Sequence, residues 1–261
     1  MKHIVSISAL YKLGAPLIEL GEEFSTAGFD GISIDPAILA DLVNSDLKSL
    51  AALLAERNMA VALHGEFSTP VKELTGLAGL FGSQLTTITF DPDLGWTSAG
   101  FLFLMDKMGP YLAQLDHVAQ NYGFKFGIED FPETPFALKM YQDSFSHLLE
   151  SDRFGILIDV GHFNLSANKY GYFKGVSPEV HLVQLPLKLL EVHLSDNDGL
   201  EDQHFPLGLG IIDFGSVARG LKKIAFDSLA TIEIEPRKGS SIAEAKADIL
   251  QSFSYWKQVY E

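Results

Sequence analysis

Short apolar runs alternate with amphipathic segments along the whole chain. Eight runs rich in β-branched and aromatic residues, most of them ending in a polar side chain, predict strands at residues 3–9, 31–35, 60–65, 85–91, 124–130, 154–160, 189–195 and 229–235. Between these runs, apolar residues recur at spacings of three and four, which is typical of helices that bury one face. Clear examples are residues 17–28, 46–58, 214–224 and 241–260.

The regular alternation of strand and helix predicts parallel strands joined by right-handed crossovers. Eight such units within 261 residues fit a closed (β/α)8 barrel, the TIM barrel, better than an open doubly wound sheet. No Gly-rich GxGxxG motif follows the first predicted strand, which argues against a dinucleotide-binding fold. Because no linker or charge block marks a second domain, we expect residues 1–261 to form one α/β barrel domain.

Composition narrows the range of partners. The sequence has no cysteine, so disulfides and thiolate metal ligands are excluded, and its formal charge of −15 disfavours binding to nucleic acid. No apolar run approaches the roughly 20 residues of a membrane helix, and the first residues do not resemble a signal peptide. We therefore expect a cytoplasmic protein that acts on a small molecule, without membrane contact. A homo-oligomer in which a neighbouring subunit closes the site is compatible with these features.

Polar residues cluster at the carboxyl ends of the predicted strands, which is where barrels of this type carry their chemistry. They are His64, Asp91, Glu129, Asp159, His162, His193, Glu233 and Glu235. Any one of them could cap a loop or lie hydrogen-bonded in the core, but several carboxylates buried at one barrel mouth are costly without cations. Carboxylates and neutral imidazoles are suitable ligands for divalent cations. The sequence therefore predicts a metal centre, with Mn²⁺ or Zn²⁺ expected and Mg²⁺ or Co²⁺ as alternatives.

Several motifs resemble the xylose isomerase-like barrel superfamily of sugar isomerases and epimerases, inosose dehydratases and apurinic-site endonucleases. They are "GIEDFP", "LIDVGHFN", "EVHLSDNDG", "DQHFPLGLGIIDF" and "ATIEIEP", with "ALHGEF" in the first half of the chain. The resemblance implies one metal ion held by Glu129, Asp159, His193 and Glu233. Glu235 lies two residues after Glu233 on the same face of the strand, and Glu233 is preferred because "TIE" resembles the usual ending in the family.

Further positions match the endonuclease branch of this superfamily. His64, His162, Asp202 and His204 correspond to additional metal ligands there, whereas in the isomerase branch histidines near these positions more often contact substrate. Asp91 departs from the endonuclease pattern, which has a histidine at the end of the fourth strand. A complete trinuclear zinc cluster is therefore not expected.

The resulting functional hypothesis is a divalent-metal-dependent isomerase or epimerase that acts on a sugar, a polyol or a keto acid. Glu129 and Glu233 would remove and return a proton through an enediolate. Residues expected to bind substrate or shuttle its protons are His64, His162, Asp202, His204, Glu235 and Arg237, the last of which could hold a carboxylate or phosphate. Two alternatives stay open, an apurinic-site phosphodiesterase acting on DNA and a barrel that binds a metabolite without turnover.

Overall fold

The computed structural model describes residues 1–67, 69–91, 98–130 and 137–261 and contains a closed barrel of eight strands. The strands are β1 (Lys2–Ser6), β2 (Gly31–Ile34), β3 (Ala60–Glu66), β4 (Leu85–Asp91), β5 (Lys125–Glu129), β6 (Phe154–Asp159), β7 (Leu189–Leu194) and β8 (Leu229–Ile232). Each pairs in parallel with its neighbours in sequence, and β1 closes the barrel against β8. The predicted (β/α)8 fold is confirmed.

Helices alternate with these strands. In the described part of the chain they are α1 (Ser8–Lys12), α2 (Leu17–Thr26), α3 (Pro36–Ala40), α4 (Asn44–Glu56), α5 (Val71–Phe81), α6 (Ser98–Tyr122), α7 (Ala137–Ser144), α8 (Ser146–Leu149), α9 (Val160–Asn168), α10 (Pro178–Val183), α11 (Phe214–Lys223) and α12 (Ile242–Tyr260). Side chains cap some of these helices, since Asp213 caps α11 and Ser241 forms a capping box with Glu244 at α12. No helix in the described ranges is both long and apolar enough to cross a membrane.

Two strands end three residues earlier than the sequence pattern predicts. β1 ends at Ser6 because helix α1 begins at Ser8, and β8 ends at Ile232, just before Glu233. Beyond β8 the backbone stays tied to its neighbours, since the Glu233 amide donates to the Leu194 carbonyl at 3.1 Å and the Glu235 amide donates to the His204 carbonyl at 3.1 Å. These hydrogen bonds hold the eighth strand end against β7 and the loop that follows it.

The interior of the barrel changes from apolar to polar along the strands. At one end a small cluster of Ile4, Ala60, Ala62 and Leu229 is buried. Strand β6 packs closely against β7 at Gly155, where an added Cβ would lie 2.7 Å from the Leu190 Cγ and 2.3 Å from the Lys188 carbonyl. The register of this strand pair shifts between Ile156 and Leu157, so that Leu157 pairs with Glu191 and Asp159 with His193. Charged side chains therefore enter the barrel along β7.

Candidate active site

A cavity of about 320 Å³ opens at the carboxyl ends of the strands. Among the described residues that line it are seven carboxylates, three histidines and one lysine. The carboxylates are Asp35, Glu66, Asp91, Glu129, Asp202, Glu233 and Glu235; the histidines are His64, His162 and His204, and the lysine is Lys12. This excess of negative charge favours cations in the cavity and disfavours a densely phosphorylated ligand.

His193 lies at the centre of the carboxylates, fully buried on β7. Its Nδ1 atom is 2.6 Å from Glu233 Oε2 and 3.8 Å from Glu129 Oε1. Burial alone would lower the pKa of His193, but the charge of Glu233 and the contacts to Glu191 and Glu233 raise the pKa well above its ordinary value. The same contacts hold the pKa of Glu233 well below its usual range, against the opposing effect of burial. The His193 ring and the Glu233 carboxylate therefore favour each other's charged forms.

Asp159 is fully buried where β6 meets α9. Its Oδ1 atom caps the helix by accepting from the Gly161 amide at 2.5 Å and the His162 amide at 3.3 Å. Its Oδ2 atom is buried without a hydrogen-bond partner among the described residues. Burial and the charges of Asp202 and Glu129 raise the pKa of Asp159, even though the facing histidines lower it. A buried carboxylate oxygen without a hydrogen-bond partner, such as Asp159 Oδ2, is a suitable ligand for a cation.

Three of the four residues assigned as ligands by resemblance meet within a small volume. Asp159, His193 and Glu233 each offer one donor atom, and these atoms lie within 4.8 Å of one another. Glu129 forms two further groups of this kind, one with Asp159 and His162 and one with His64 and His193. Glu129 therefore lies beside Asp159 and beside His193, but among the described residues no single group within this distance contains all four residues assigned by resemblance.

His64 and His162 lie on either side of Glu129. His64 Nε2 is 3.4 Å from Glu129 Oε2, while its Nδ1 lies 3.0 Å from the Thr89 hydroxyl. His162 Nδ1 donates to the Asp130 carbonyl at 2.9 Å and lies 3.8 Å from Glu129 Oε1. Burial would raise the pKa of Glu129, but the charges of His64 and His162 lower it below the usual value. Glu129 is therefore held in its ionised form at neutral pH.

Asp202 joins two histidines at the edge of the cavity. Its Oδ2 atom is 3.2 Å from His162 Nε2 and 3.5 Å from His204 Nε2. Burial would lower the pKa of His204, but the hydrogen bond to Asp202 and the charge of Glu233 raise it to about 10. His204 Nδ1 is 3.8 Å from Glu233 Oε2, so this group extends to the second glutamate of the predicted proton-transfer pair.

The loop that carries Asp202 and His204 is held by Asp196, a residue that strand ends alone did not reveal. Its buried carboxylate accepts from the backbone amides of Asn197, Gly208, Gly210 and Ile212 at 2.9 to 3.2 Å. A Cβ at Gly210 would lie 2.2 Å from Asp196 Oδ1, which explains a glycine at this position. The acidic and glycine-rich composition of the loop therefore serves its conformation as well as the cavity.

The remaining predicted residues lie farther from the centre. Glu235 is exposed and lines the cavity, whereas the more buried Glu233 contacts His193. Asp91 also lines the cavity. Arg237 is exposed and pairs with Asp248 on α12, with Nη2 lying 3.0 Å from Asp248 Oδ2. It is not among the described residues that line the cavity. Its expected role in holding an anionic group stays a prediction.

Sequence reasoning also missed two buried acids beside the predicted ligands. Glu191 lies two residues before His193, and Asp130 directly follows Glu129. Asp130 accepts from the Asp159 amide at 2.8 Å, and burial raises its pKa to about 8. The signal for Glu191 was present, since an acid spaced by two from His193 within an apolar strand shares its face of the sheet.

The chain belongs to the xylose isomerase-like TIM barrel family, whose sequence model matches residues 105–259. The match spans β5 to β8 and confirms the resemblance drawn from the motifs. Two uncharacterised proteins of Methanocaldococcus jannaschii are 29% identical over 133 residues and 26% identical over 125 residues. These alignments cover 50% and 48% of this chain and 43% and 44% of the relatives, so the chain spans less than half the length of these curated relatives.

Solved structures with the same fold include sugar epimerases. A D-psicose 3-epimerase from Clostridium cellulolyticum H10 with D-tagatose is 13% identical, with a TM-score of 0.71 over 100% of both chains. The IolI protein with a bound zinc atom is 19% identical, with a TM-score of 0.72 over 100% of this chain and 98% of the other. A D-allulose 3-epimerase from Methylomonas sp. in complex with D-allulose is 14% identical, with a TM-score of 0.67 over 100% and 97%. At these identities the likeness establishes the shared fold.

Proposed function

We propose that the protein is a divalent-metal-dependent isomerase or epimerase of a sugar or a closely related polyol or keto acid. The observation that carries this proposal is the convergence of Asp159, His193 and Glu233, with Glu129 beside them, at the mouth of the barrel. The family membership and the sugar 3-epimerases among the structural neighbours support the same class of reaction.

The residues fit a divalent cation. The unpartnered Asp159 Oδ2, the buried ring of His193 and two glutamate carboxylates form a donor set of oxygen and imidazole nitrogen. Glu129, Asp159, His193 and Glu233 would hold the ion, with Mn²⁺ or Zn²⁺ expected. When bound, the ion supplies the positive charge that acidifies a C–H bond beside a substrate carbonyl and stabilises the enediolate.

The chain's own residues would then move the proton. Glu129 and Glu233 both reach Nδ1 of His193, at 3.8 and 2.6 Å, so both carboxylates border the same small volume. Their pKa values are held below the ordinary value, which leaves each able to accept a proton at neutral pH. One carboxylate removes the proton and the other returns it. His64 and His162 next to Glu129, and His204 next to Glu233, would bind hydroxyl groups or exchange protons with them.

The direct test has two steps. Elemental analysis of the purified protein measures bound metal, and ketoses such as D-tagatose, D-psicose and L-ribulose, together with inososes, are then screened with Mn²⁺ in D2O. We expect about one ion per chain, and a substrate that gains solvent deuterium at the epimerised carbon. A double Glu129→Gln, Glu233→Gln variant should incorporate none. A metal-free protein that still exchanged the C–H proton would overturn the proposal.

One observation favours a second candidate, a metal-dependent phosphodiesterase acting at abasic sites in DNA. Asp202 bridges His162 and His204 at the cavity edge, and these three residues correspond by resemblance to additional metal ligands of the endonucleases, although they do not form one of the groups of described residues that could hold an ion. Against this candidate stand the seven carboxylates that line the cavity and the aspartate at position 91. Two or three zinc ions per chain together with incision of abasic duplex DNA would favour it over the isomerase.

A further inference from the structure

Glu191 is a buried acid that the proposed reaction does not use. It lies inside the barrel on β7, with none of its surface exposed, two residues before His193. Side chains two residues apart share a face of a strand, so Glu191 lies one layer below the candidate metal centre. A buried carboxylate costs free energy unless hydrogen bonds or a cation compensate it, which raises the question of what this acid does.

The position of the Glu191 carboxylate is fixed from two sides. Thr87 on β4 donates its hydroxyl to Oε2 at 2.8 Å, and Thr231 on β8 donates to Oε1 at 2.6 Å. Strands β4 and β7 are three places apart in the barrel, so the contact with Thr87 spans the interior. Both threonines are fully buried. The carboxylate is therefore anchored independently of His193.

The other neighbour of this anchored carboxylate is the ring of His193. His193 Nε2 lies 3.4 Å from Glu191 Oε1, whereas Nδ1 faces Glu233 and Glu129. The two nitrogens of the imidazole thus face different acids. Nε2 faces Glu191 below the ring, and Nδ1 faces Glu233 and Glu129 at the candidate metal centre. In the neutral ring, a proton on Nε2 would leave the lone pair of Nδ1 free toward the candidate ligands.

We propose that Glu191 is a positioning residue that accepts the Nε2–H of His193 and so presents Nδ1 as the metal-binding atom. The inference rests on the proposed metal centre. Imidazoles that bind a metal generally donate their second ring N–H to a carboxylate, carbonyl or water, and loss of that partner weakens metal binding by about 10- to 100-fold. The separation of 3.4 Å exceeds the usual hydrogen-bond length of about 2.9 Å, and Nε2 has no hydrogen-bond partner among the described residues, so the proposal requires this contact to shorten when the ring binds a metal ion.

A purely structural role makes a different prediction. If Glu191 only filled the barrel and satisfied Thr87 and Thr231, its replacement would change stability and leave the metal affinity and the proton position on His193 unchanged. The positioning role requires that both metal affinity and the state of the ring change, even in a variant that folds normally. The two roles are therefore separable without measuring turnover.

The experiment measures Zn²⁺ and Co²⁺ dissociation constants by competition with a chelator in the wild type and in Glu191→Gln and Glu191→Leu variants. We expect the Gln variant, which keeps the shape but loses the charge, to bind about 10-fold more weakly, and the Leu variant up to about 100-fold more weakly. In parallel, ¹⁵N NMR of the Zn²⁺-loaded wild type should show His193 protonated on Nε2, and the Co²⁺ absorption bands should shift in both variants. Thr87→Val, which removes one anchoring hydroxyl, should fall between the wild type and the Gln variant.

Ser252→Ala is the matched control, because Ser252 is a buried hydroxyl on α12 that accepts from the Leu207 amide far along the chain from His193. It should lower the melting temperature without changing either dissociation constant. A wild type that binds one ion, with variants of equal affinity and an unchanged NMR signature, would overturn the role of Glu191 and leave the metal centre standing. A wild type that binds no ion stoichiometrically would overturn the metal centre, and this inference with it.

Discussion

The two halves of the barrel end their strands with different chemistry. Strands β5 to β8 lead into Glu129, Asp159, His193 and Glu233, whereas the first half of the barrel contributes to the cavity Ser6, Ser33, His64 and the three acids Asp35, Glu66 and Asp91. Of the groups that could hold a metal among the described residues, only one uses a side chain of the first half, His64. Both halves border the same cavity, but the second half supplies nearly all of the donor atoms.

Under the proposed function, the second half of the barrel binds the metal ion and the first half contacts the substrate. Four neighbouring strands are enough to surround an ion, because adjacent strands lie about 4.8 Å apart and their ends converge. The opposite four strands contribute to the cavity wall the hydroxyls of Ser6 and Ser33 and the acids Asp35, Glu66 and Asp91, and among the described residues none of these belongs to a group that could hold a metal. Changes in the second half should therefore remove the metal, and changes in the first half should alter substrate binding with the metal retained.

The largest expected effect comes from removing a proposed metal ligand of the second half. Glu129→Ala or Asp159→Ala should abolish stoichiometric metal and catalytic activity, because each leaves the ion with an incomplete donor set. Elemental analysis and turnover measure this, and circular dichroism should show a largely intact fold. His64→Asn in the first half should keep the metal, and Glu73→Ala, an exposed acid on α5, serves as the control. Full metal content in both ligand variants would mean that the assigned ligand set is wrong.

The eighth strand offers a sharper comparison between two glutamates two residues apart. Glu233 contacts His193 at 2.6 Å, whereas Glu235 is exposed at the cavity. Glu233→Gln should lose metal and reduce kcat by about 100-fold or more, since it removes both a ligand and a proton acceptor. Glu235→Gln should raise KM with the metal retained. Metal lost from the Glu235 variant and kept in the Glu233 variant would reverse the assignment.

A smaller effect is expected from the group formed by Asp202, His162 and His204, which extends the second half toward the cavity edge. His204→Asn should leave one ion per chain in place and lower kcat/KM by about 10-fold, because His204 reaches Glu233 only at 3.8 Å. Metal counts of the wild type and the variant, measured together with kinetics, test this. Two or three zinc ions in the wild type, with strong dependence on Asp202 and His204, would instead indicate a metal cluster.

Much of the difference between the two halves of the barrel could be predicted from the sequence. The alternation of apolar runs gave the strand order, and the motifs around Glu129, Asp159 and His193 named the side chains that the structure brings together. The periodicity of two also placed Glu233 and Glu235 on one face, but which of them meets His193 depends on where β8 stops, and the runs alone do not define that point.

Other features depend on contacts between distant parts of the chain. The Asp196 carboxylate holds amides up to sixteen residues away, and Glu191 meets a hydroxyl from a strand 104 residues earlier. The contacts of Asp196 form only when its loop folds back on itself, and the contact of Glu191 forms only when the barrel closes, so neither leaves a local pattern in the sequence. The same holds for Arg237, whose pairing with Asp248 follows from the packing of α12.

The smallest expected effect concerns a second buried histidine in the second half, whose surroundings are the opposite of those of His193. His181 on α10 is 8% exposed, its ring centroid lies 4.4 Å from Phe163 and 4.8 Å from Phe173, and its Nε2 has no hydrogen-bond partner among the described residues. Burial lowers its pKa to about 4, whereas the carboxylates around His193 raise the pKa of that ring. The neighbours of a histidine, more than its burial, therefore decide its charge.

Because the pKa of His181 is lower in the folded protein than the value near 6.5 of the unfolded chain, the unfolded chain binds the extra proton between about pH 6.5 and 4. The free energy of unfolding should therefore fall as the pH falls through this window, by about 1 kcal/mol between pH 7 and 5.5 from this residue alone. Urea unfolding at both pH values should show that His181→Leu loses less stability on acidification than the wild type, by that amount. His147→Leu, at an exposed histidine on α8, should keep the wild-type difference. An unchanged pH dependence in the His181 variant would show that the pKa of this ring is not lowered in the fold, and that burial does not keep this histidine neutral.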